Sequence, residues 1–233
     1  MQRSYAPSVC SRNHSWLNQQ QMNIRPFVYH LAEAGNWPSI QRDGLFSTCA
    51  LLDRAGISGP SRAIVEEEHR PKRTILSNGL VIRDQKPMPP AALQRCLVGL
   101  TTTQWYQLVN SKVFFWFDID RLNRQRRACG DFPQVVLKIT TDRLLNRYAA
   151  PAAFTPINTG NARRKPALRG AATFVPYSVW ADTAWLSEAQ ALSTRPRPRN
   201  HLPVELTIAD CVPDVMDFVV SVKNLAPGEL LSQ

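Results

Sequence analysis

Apolar positions along this chain come in short alternating runs separated by polar and proline-rich stretches, which predicts brief strands and short helices. Val28, Tyr29 and Leu31 form the first run, with His30 set among them. Asn36 then caps a short helix that turns Trp37 and Ile40 inward, and Gly44 ends it. Residues 51–73 read as helical, then as a charged solvated face around Glu66, Glu67, Glu68 and His69. Leu80 to Ile82 predicts a short strand, and helices follow over 91–98 and 103–109, the second with a threonine cap. The aromatic run 113–117 predicts a strand buried on both faces. Asp120 is placed as the cap of the next helix, with Gly130 closing it. Residues 134–140 form another strand, and Thr141 opens a helix carrying Leu144, Leu145 and Tyr148.

From 150 to 199 this patterning degrades. Proline, asparagine and arginine are frequent there, and only 173–177 reads as a strand; such stretches are binding loops or disorder. Order returns with a strand over 204–208, a turn over 211–215 and a last strand over 218–222. Scattered helices among short strands, without strict alternation, indicate an α+β fold. The expected organisation is a polar N-terminal extension over 1–25, open to being disordered, one domain over 26–223, and a loose C-terminal tail over 224–233.

Composition narrows the function. The chain has 233 residues, 44% hydrophobic, enough for one cored domain, and no run approaches the roughly 18 apolar residues of a membrane helix. No signal-peptide apolar region is seen, so a cytoplasmic protein without membrane association is expected. Five scattered cysteines and four histidines show neither a disulfide framework nor metal-ligand spacing, and no metal is expected. The net charge of +10, mostly arginine, favours a polyanion, a dinucleotide or an acidic partner. P-loop, GxGxxG, HExxH and GxSxG patterns are absent, which removes support for the corresponding nucleotide-hydrolysing, oxidoreductase, zinc-protease and serine-hydrolase classes.

Three polar side chains sit in or beside apolar strands: His30, Arg121 and Glu205. Burying a carboxylate or guanidinium is costly unless it is paired or turned into a cleft. Glu205 alternates with Val204 and Leu206 and so points away from them. Taken alone, Glu205 also fits a half-exposed strand facing water, and His30 a hydrogen-bonded core residue.

In order and context these islands resemble the ADP-ribosyltransferase superfamily, in particular its DarT-like nucleic-acid-modifying branch. The chain opens with an apolar strand bearing His30, then shows Ser39-Ile40-Gln41-Arg42-Asp43-Gly44-Leu45 in the manner of that family's SIxxxGL element. The aromatic strand 113–117 precedes Arg121, Glu205 lies on a late strand, and Val212-Pro213 precedes the last one. An Arg83-Asp84-Gln85 loop is identified as the mark of a bacterial branch. One departure is that Leu122-Asn123-Arg124 follows Arg121 where DarT-like enzymes carry a Ser-Pro-Met-like stretch, so Arg124 or another arginine competes for its role.

The resemblance implies an ADP-ribosyltransferase-like split β-sheet core and NAD as the ADP-ribose donor. It implies Glu205 and Arg121 as catalytic residues, with His30, Tyr29, Ser39 and Arg121 holding NAD. The acceptor implied is a macromolecule, DNA or RNA foremost, in a toxin or phage-conflict role that can involve an antitoxin partner. Arg163, Arg164, Lys165 and Arg169, in the basic loop region, are the candidate acceptor contacts. Asp84 and Gln85 are candidate site-lining residues, with a turn stabilised by Asp84 as the equal alternative. A catalytically silent binding module and an NAD glycohydrolase are the competing functions.

Overall fold

The computed structural model describes residues 24–163 and 165–232, so most of the extension expected over 1–25 lies outside the described residues. The elements run β1 (Phe27–Glu33), α1 (Trp37–Asp43), β2 (Leu45–Phe46), α2 (Thr48–Arg54), α3 (Gly59–Glu66), β3 (Thr74–Ile75) and β4 (Val81–Ile82). Then come α4 (Pro90–Gln94), α5 (Thr102–Asn110), β5 (Lys112–Trp116), α6 (Ile119–Ala128), β6 (Gln134–Thr140), α7 (Thr141–Tyr148) and β7 (Ala152–Thr155). The chain ends with β8 (Val175–Pro176), α8 (Tyr177–Thr183), α9 (Leu186–Ala191), β9 (Glu205–Ala209), β10 (Cys211–Val212) and β11 (Val219–Leu225). This is the α+β class expected, built on a central antiparallel sheet of order β11-β6-β1-β5-β9-β7-β8.

The sheet is nearly divided at its middle. β1 pairs with β6 from Phe27↔Thr140 to Glu33↔Gln134, and β5 pairs with β9 from Lys112↔Ala209 to Trp116↔Glu205, but β1 and β5 register only at Tyr29↔Trp116. In that seam the His30 imidazole bonds the Phe114 carbonyl at 2.8 Å, using an acceptor that a continuous ladder would give to a backbone N–H.

One face of the sheet carries the main core, where Val28, Val113, Phe115, Leu137, Ile139, Phe154 and Leu206 pack against Ile40, Trp180 and Phe218. Each fully buried leucine or phenylalanine there contributes roughly 1.5–3 kcal/mol. The other face carries two smaller clusters. Met88, Leu93, Trp105, Tyr106 and Phe174 gather over Phe114, while Leu31, Leu122, Val136 and Leu225 gather around Trp116. A cleft is left between them.

Gly44 ends α1 as expected, with φ of 87°, and a Cβ there would lie 2.4 Å from the Pro213 backbone. The stretch ending in Gly44-Leu45 and the Val212-Pro213 turn are therefore in contact, and β2 pairs with β10.

Three expectations need correction. Asp118, not Asp120, caps α6 by accepting from the Arg121 amide at 3.0 Å. The segment 150–199 is not one irregular loop: it holds β7, β8, α8 and α9. β7 escapes pattern reading because Ala152 and Ala153 have low strand propensity, and pairing with β9 imposes the strand. The tail is also not loose. Asn123 of α6 exchanges hydrogen bonds with the Leu231 backbone at 2.9 and 3.0 Å, and Arg126 donates to the Ala226 carbonyl at 2.7 Å. Polar groups buried on α6 need such partners, and the tail supplies them.

Candidate active site

The cleft has a volume of about 840 Å³. Strand alternation sends Lys112, Phe114 and Trp116 of β5 into it, while Val113 and Phe115 enter the main core. From α6 it receives Arg121, Arg124, Gln125 and Ala128, a stripe at helical spacing opposite the buried Leu122 and Arg126. Trp116 Nε1 donates to Gln125 Oε1 at 2.6 Å and joins the two walls. The loops 83–88 and 158–161 close the other sides. Cations outnumber carboxylates along these walls: Arg73, Arg83, Arg121, Arg124 and Lys112 belong to the first group, Glu33, Asp84 and Glu205 to the second. Such a lining attracts anionic ligands.

Glu205 lines this cleft although it is only 3% exposed. It pairs across the sheet with Trp116 on one side and Thr155 on the other, which puts all three on one face. Its Oε2 accepts from Thr155 Oγ1 at 2.9 Å, Thr159 Oγ1 at 2.8 Å and the Thr159 amide at 3.3 Å. Among the described residues, Oε1 receives none of these bonds. Burial pushes the carboxyl up to about 7, against the opposing pull of the threonine hydrogen bonds and the Arg169 charge. A group poised there exchanges a proton near neutral pH.

Arg169 supports this carboxylate from behind. It is 2% exposed, donates from Nη1 to the Thr159 carbonyl at 3.1 Å, and lies over the Trp105 ring. It is thus an internal positioning residue, not the surface contact expected for a polymer. Arg163 and Lys165 are exposed, and Arg163 donates to the Lys86 carbonyl at 3.1 Å beside the cleft. Arg164 lies outside the described residues.

Arg121 lines the cleft, half-buried, and its guanidinium has no ion-pair partner among the described residues; Arg124 one turn later is exposed beside it. Both alternatives for an anion ligand are therefore brought to the site. Asp84 and Gln85 line it as well, and Asp84 also serves the turn reading, accepting from the Lys86 amide at 3.2 Å.

His30, Tyr29 and Ser39 are not among the lining residues. His30 lies in the seam with its ring 5.6 Å from that of Phe115, on the main-core face. Burial pulls its pKa down to about 4, with the Arg83 charge acting the same way. The ring is neutral at pH 7, so Nδ1 carries the proton given to the Phe114 carbonyl. Tyr29 opens instead onto a smaller hollow with Phe27, Phe117 and Ile119. Ser39 is spent on Asp43 at 3.3 Å.

Sequence reasoning missed Thr155, Thr159, Lys112, Arg70 and Arg73. Lys112 was legible from its alternation with Val113; the threonines were not, because their roles depend on cross-strand register. Arg70 is 7% exposed and reaches the Arg83 carbonyl from Nε at 2.9 Å, which fastens the 83–88 loop.

A family model described as "Family of unknown function (DUF7002)" matches residues 26–219. The chain belongs to that family. No curated protein sequence matches it. Among solved structures the chain is similar to DarT from Thermus sp. 2.9 in complex with NAD+, at 11% identity, with 85% of this chain and 81% of that one covered and a TM-score of 0.37.

Among the described residues, no three of His, Cys, Asp and Glu come together as metal ligands, and no helix is long and apolar enough to cross a membrane. The chemistry on offer is a carboxyl poised near neutrality within a cationic cleft. Such a lining suits an anionic ligand.

Proposed function

We propose that the chain is an NAD-dependent ADP-ribosyltransferase that moves ADP-ribose onto a polyanionic macromolecule, DNA or RNA. The observation that carries this reading is Glu205, tethered through Oε2 in a cleft whose other charges are mostly positive. The resemblance of the residue islands around Gly44, Arg121 and Glu205 agrees with it. NAD is the substrate, and its diphosphate would be held by Arg121 or Arg124, a guanidinium fork being suited to two phosphate oxygens.

In the reaction the bond between nicotinamide nitrogen and ribose C1′ breaks, and its electron pair leaves with the neutral nicotinamide. The oxocarbenium-like ribosyl carbon is then captured by a lone pair of the acceptor, which loses a proton. Ionised Glu205 stabilises the positive carbon and its neighbouring hydroxyl more strongly in the transition state than in the ground state. Arg163, bonded to the Lys86 carbonyl beside the cleft, and Lys165, also exposed, are the proposed contacts to the incoming polymer.

The test uses labelled NAD with the purified chain and its Glu205→Gln variant, in the presence of single-stranded DNA, RNA or cell lysate. Label on one polymer with the wild type, reduced at least about tenfold in the variant, is the expected result. Free ADP-ribose without labelled polymer would replace the transferase reading with an NAD glycohydrolase. No turnover in any mixture would remove the enzyme reading.

A further inference from the structure

Arginine and proline alternate through Arg195-Pro196-Arg197-Pro198-Arg199. Proline fixes its own φ at about −65° and holds the residue before it extended, so Arg195 and Arg197 start with little backbone freedom. Tertiary contacts then fasten the segment at its start, middle and end. The Thr194 amide donates to the Ala189 carbonyl at the end of α9, at 2.9 Å. Arg197 turns inward, its Nε lying 3.6 Å from Oε2 of Glu188, a carboxylate only 2% exposed. His201 Nε2 donates to the Pro156 carbonyl at 3.1 Å, and the His201 carbonyl accepts from Trp185 Nε1 at 2.8 Å. A buried carboxylate needs a cation, and Arg197 is consumed in that role. Arg195 and Arg199 stay exposed, and among the described residues neither forms an ion pair. Two free guanidinium groups on a fastened backbone lose little entropy when they bind an anion.

The place of the segment selects the anion. Pro156, to which it is bonded, follows Thr155, and the Thr155 hydroxyl donates to Glu205. The Val204 amide also donates to the Thr155 carbonyl, at 2.8 Å, so the chain leaving the segment runs directly into β9. The loop that starts at Pro156 carries Thr159, the other partner of Glu205, and ends at exposed Arg163. Basic side chains therefore stand at both ends of the loop that holds Glu205. Charges set apart in this way match repeated phosphates along a polymer better than one small anion.

We propose that Arg195 and Arg199 form a second phosphate-contact site for a nucleic-acid strand, additional to Arg163 and Lys165. This rests on reading the acceptor as nucleic acid. The guanidinium forks suit phosphate oxygens, and contacts of this kind hold a strand in place without reading its bases. Arg197 and Glu188 take no part in binding; they fix the backbone from which the two arginines project.

The test is fluorescence anisotropy of the full chain with labelled oligothymidylate, oligouridylate and poly-glutamate across a salt series. Combining Arg195→Ala with Arg199→Ala should weaken oligonucleotide binding about tenfold at low salt. The slope of log K against log salt should flatten by about 1.4, two phosphate contacts at about 0.7 each. Arg195→Lys with Arg199→Lys should keep the wild-type slope, because charge sets counterion release. An unchanged slope in the alanine pair overturns the inference, as does an equal loss in the lysine pair. Poly-glutamate bound as tightly as the oligonucleotides, with the same loss in the alanine pair, overturns it in favour of an acidic protein partner. Oligonucleotide binding that the alanine pair leaves intact removes this inference alone. A wild type that binds neither oligonucleotide removes it together with the nucleic-acid acceptor.

Discussion

Thr159 meets the carboxylate of Glu205 twice, through its hydroxyl at 2.8 Å and its amide at 3.3 Å, and both bonds fall on Oε2. The hydroxyl bond favours the ionised form against burial. Thr159→Val removes it while keeping the amide and the volume. The pH profile of NAD cleavage should then shift its rising limb upward by about half to one unit. Loss of activity at every pH, with no shift, would mean that Thr159 acts only by holding the loop.

Glu205 also links stability to pH. Its carboxyl is raised from an ordinary 4.5 to about 7, so the unfolded chain releases that proton first. Stability from this group is intact below pH 4.5 and falls as pH rises toward 7, by an amount on the order of 3 kcal/mol. Glu205→Gln should therefore gain stability over wild type in urea titrations at pH 8 and lose that advantage at pH 4.5. A difference independent of pH would contradict the raised pKa of this carboxyl.

His30 runs in the opposite direction. Its pKa is lowered from 6.5 to about 4, so the unfolded chain takes up the proton first, and stability is lost as pH falls below 6.5. Nitrogen-15 chemical shifts at pH 6 should report a neutral ring protonated at Nδ1, in keeping with the bond to the Phe114 carbonyl. An imidazolium signal at that pH would exclude the seam geometry.

Charge reversal at Arg163 and Lys165 should weaken nucleic-acid binding by roughly tenfold at low salt and flatten its salt dependence, with the dissociation constant for NAD changed by less than about twofold. Electrophoretic mobility shifts across a salt series, beside NAD titrations, check this. Equal loss of both ligands would remove the acceptor role from these two residues.

Gly44→Ala should cost roughly 3 kcal/mol in chemical denaturation, because φ of 87° and the 2.4 Å approach to Pro213 both exclude a Cβ. A cost below about 1 kcal/mol would show that the Val212-Pro213 turn yields readily.

Local pattern determined much of this protein. Alternation and capping placed β1, β5, β6, β9 and α7 within a few residues, because a strand or helix edge depends on the chain's own period and caps. The cost of burying Glu205 and the charge of Arg121 singled out two residues that line the cleft. Tertiary structure decided what needs distant partners. The bond from His30 to the Phe114 carbonyl follows from β1 and β5 parting after Tyr29↔Trp116. Arg169 became internal because the Thr159 carbonyl accepts from it, and the tail docked because Asn123 and Arg126 needed acceptors. The orientation of Gln85 depends on Asn110, 25 residues away in sequence. Each of these is a buried polar group whose partner is chosen by register and packing, which spacing along one chain does not encode.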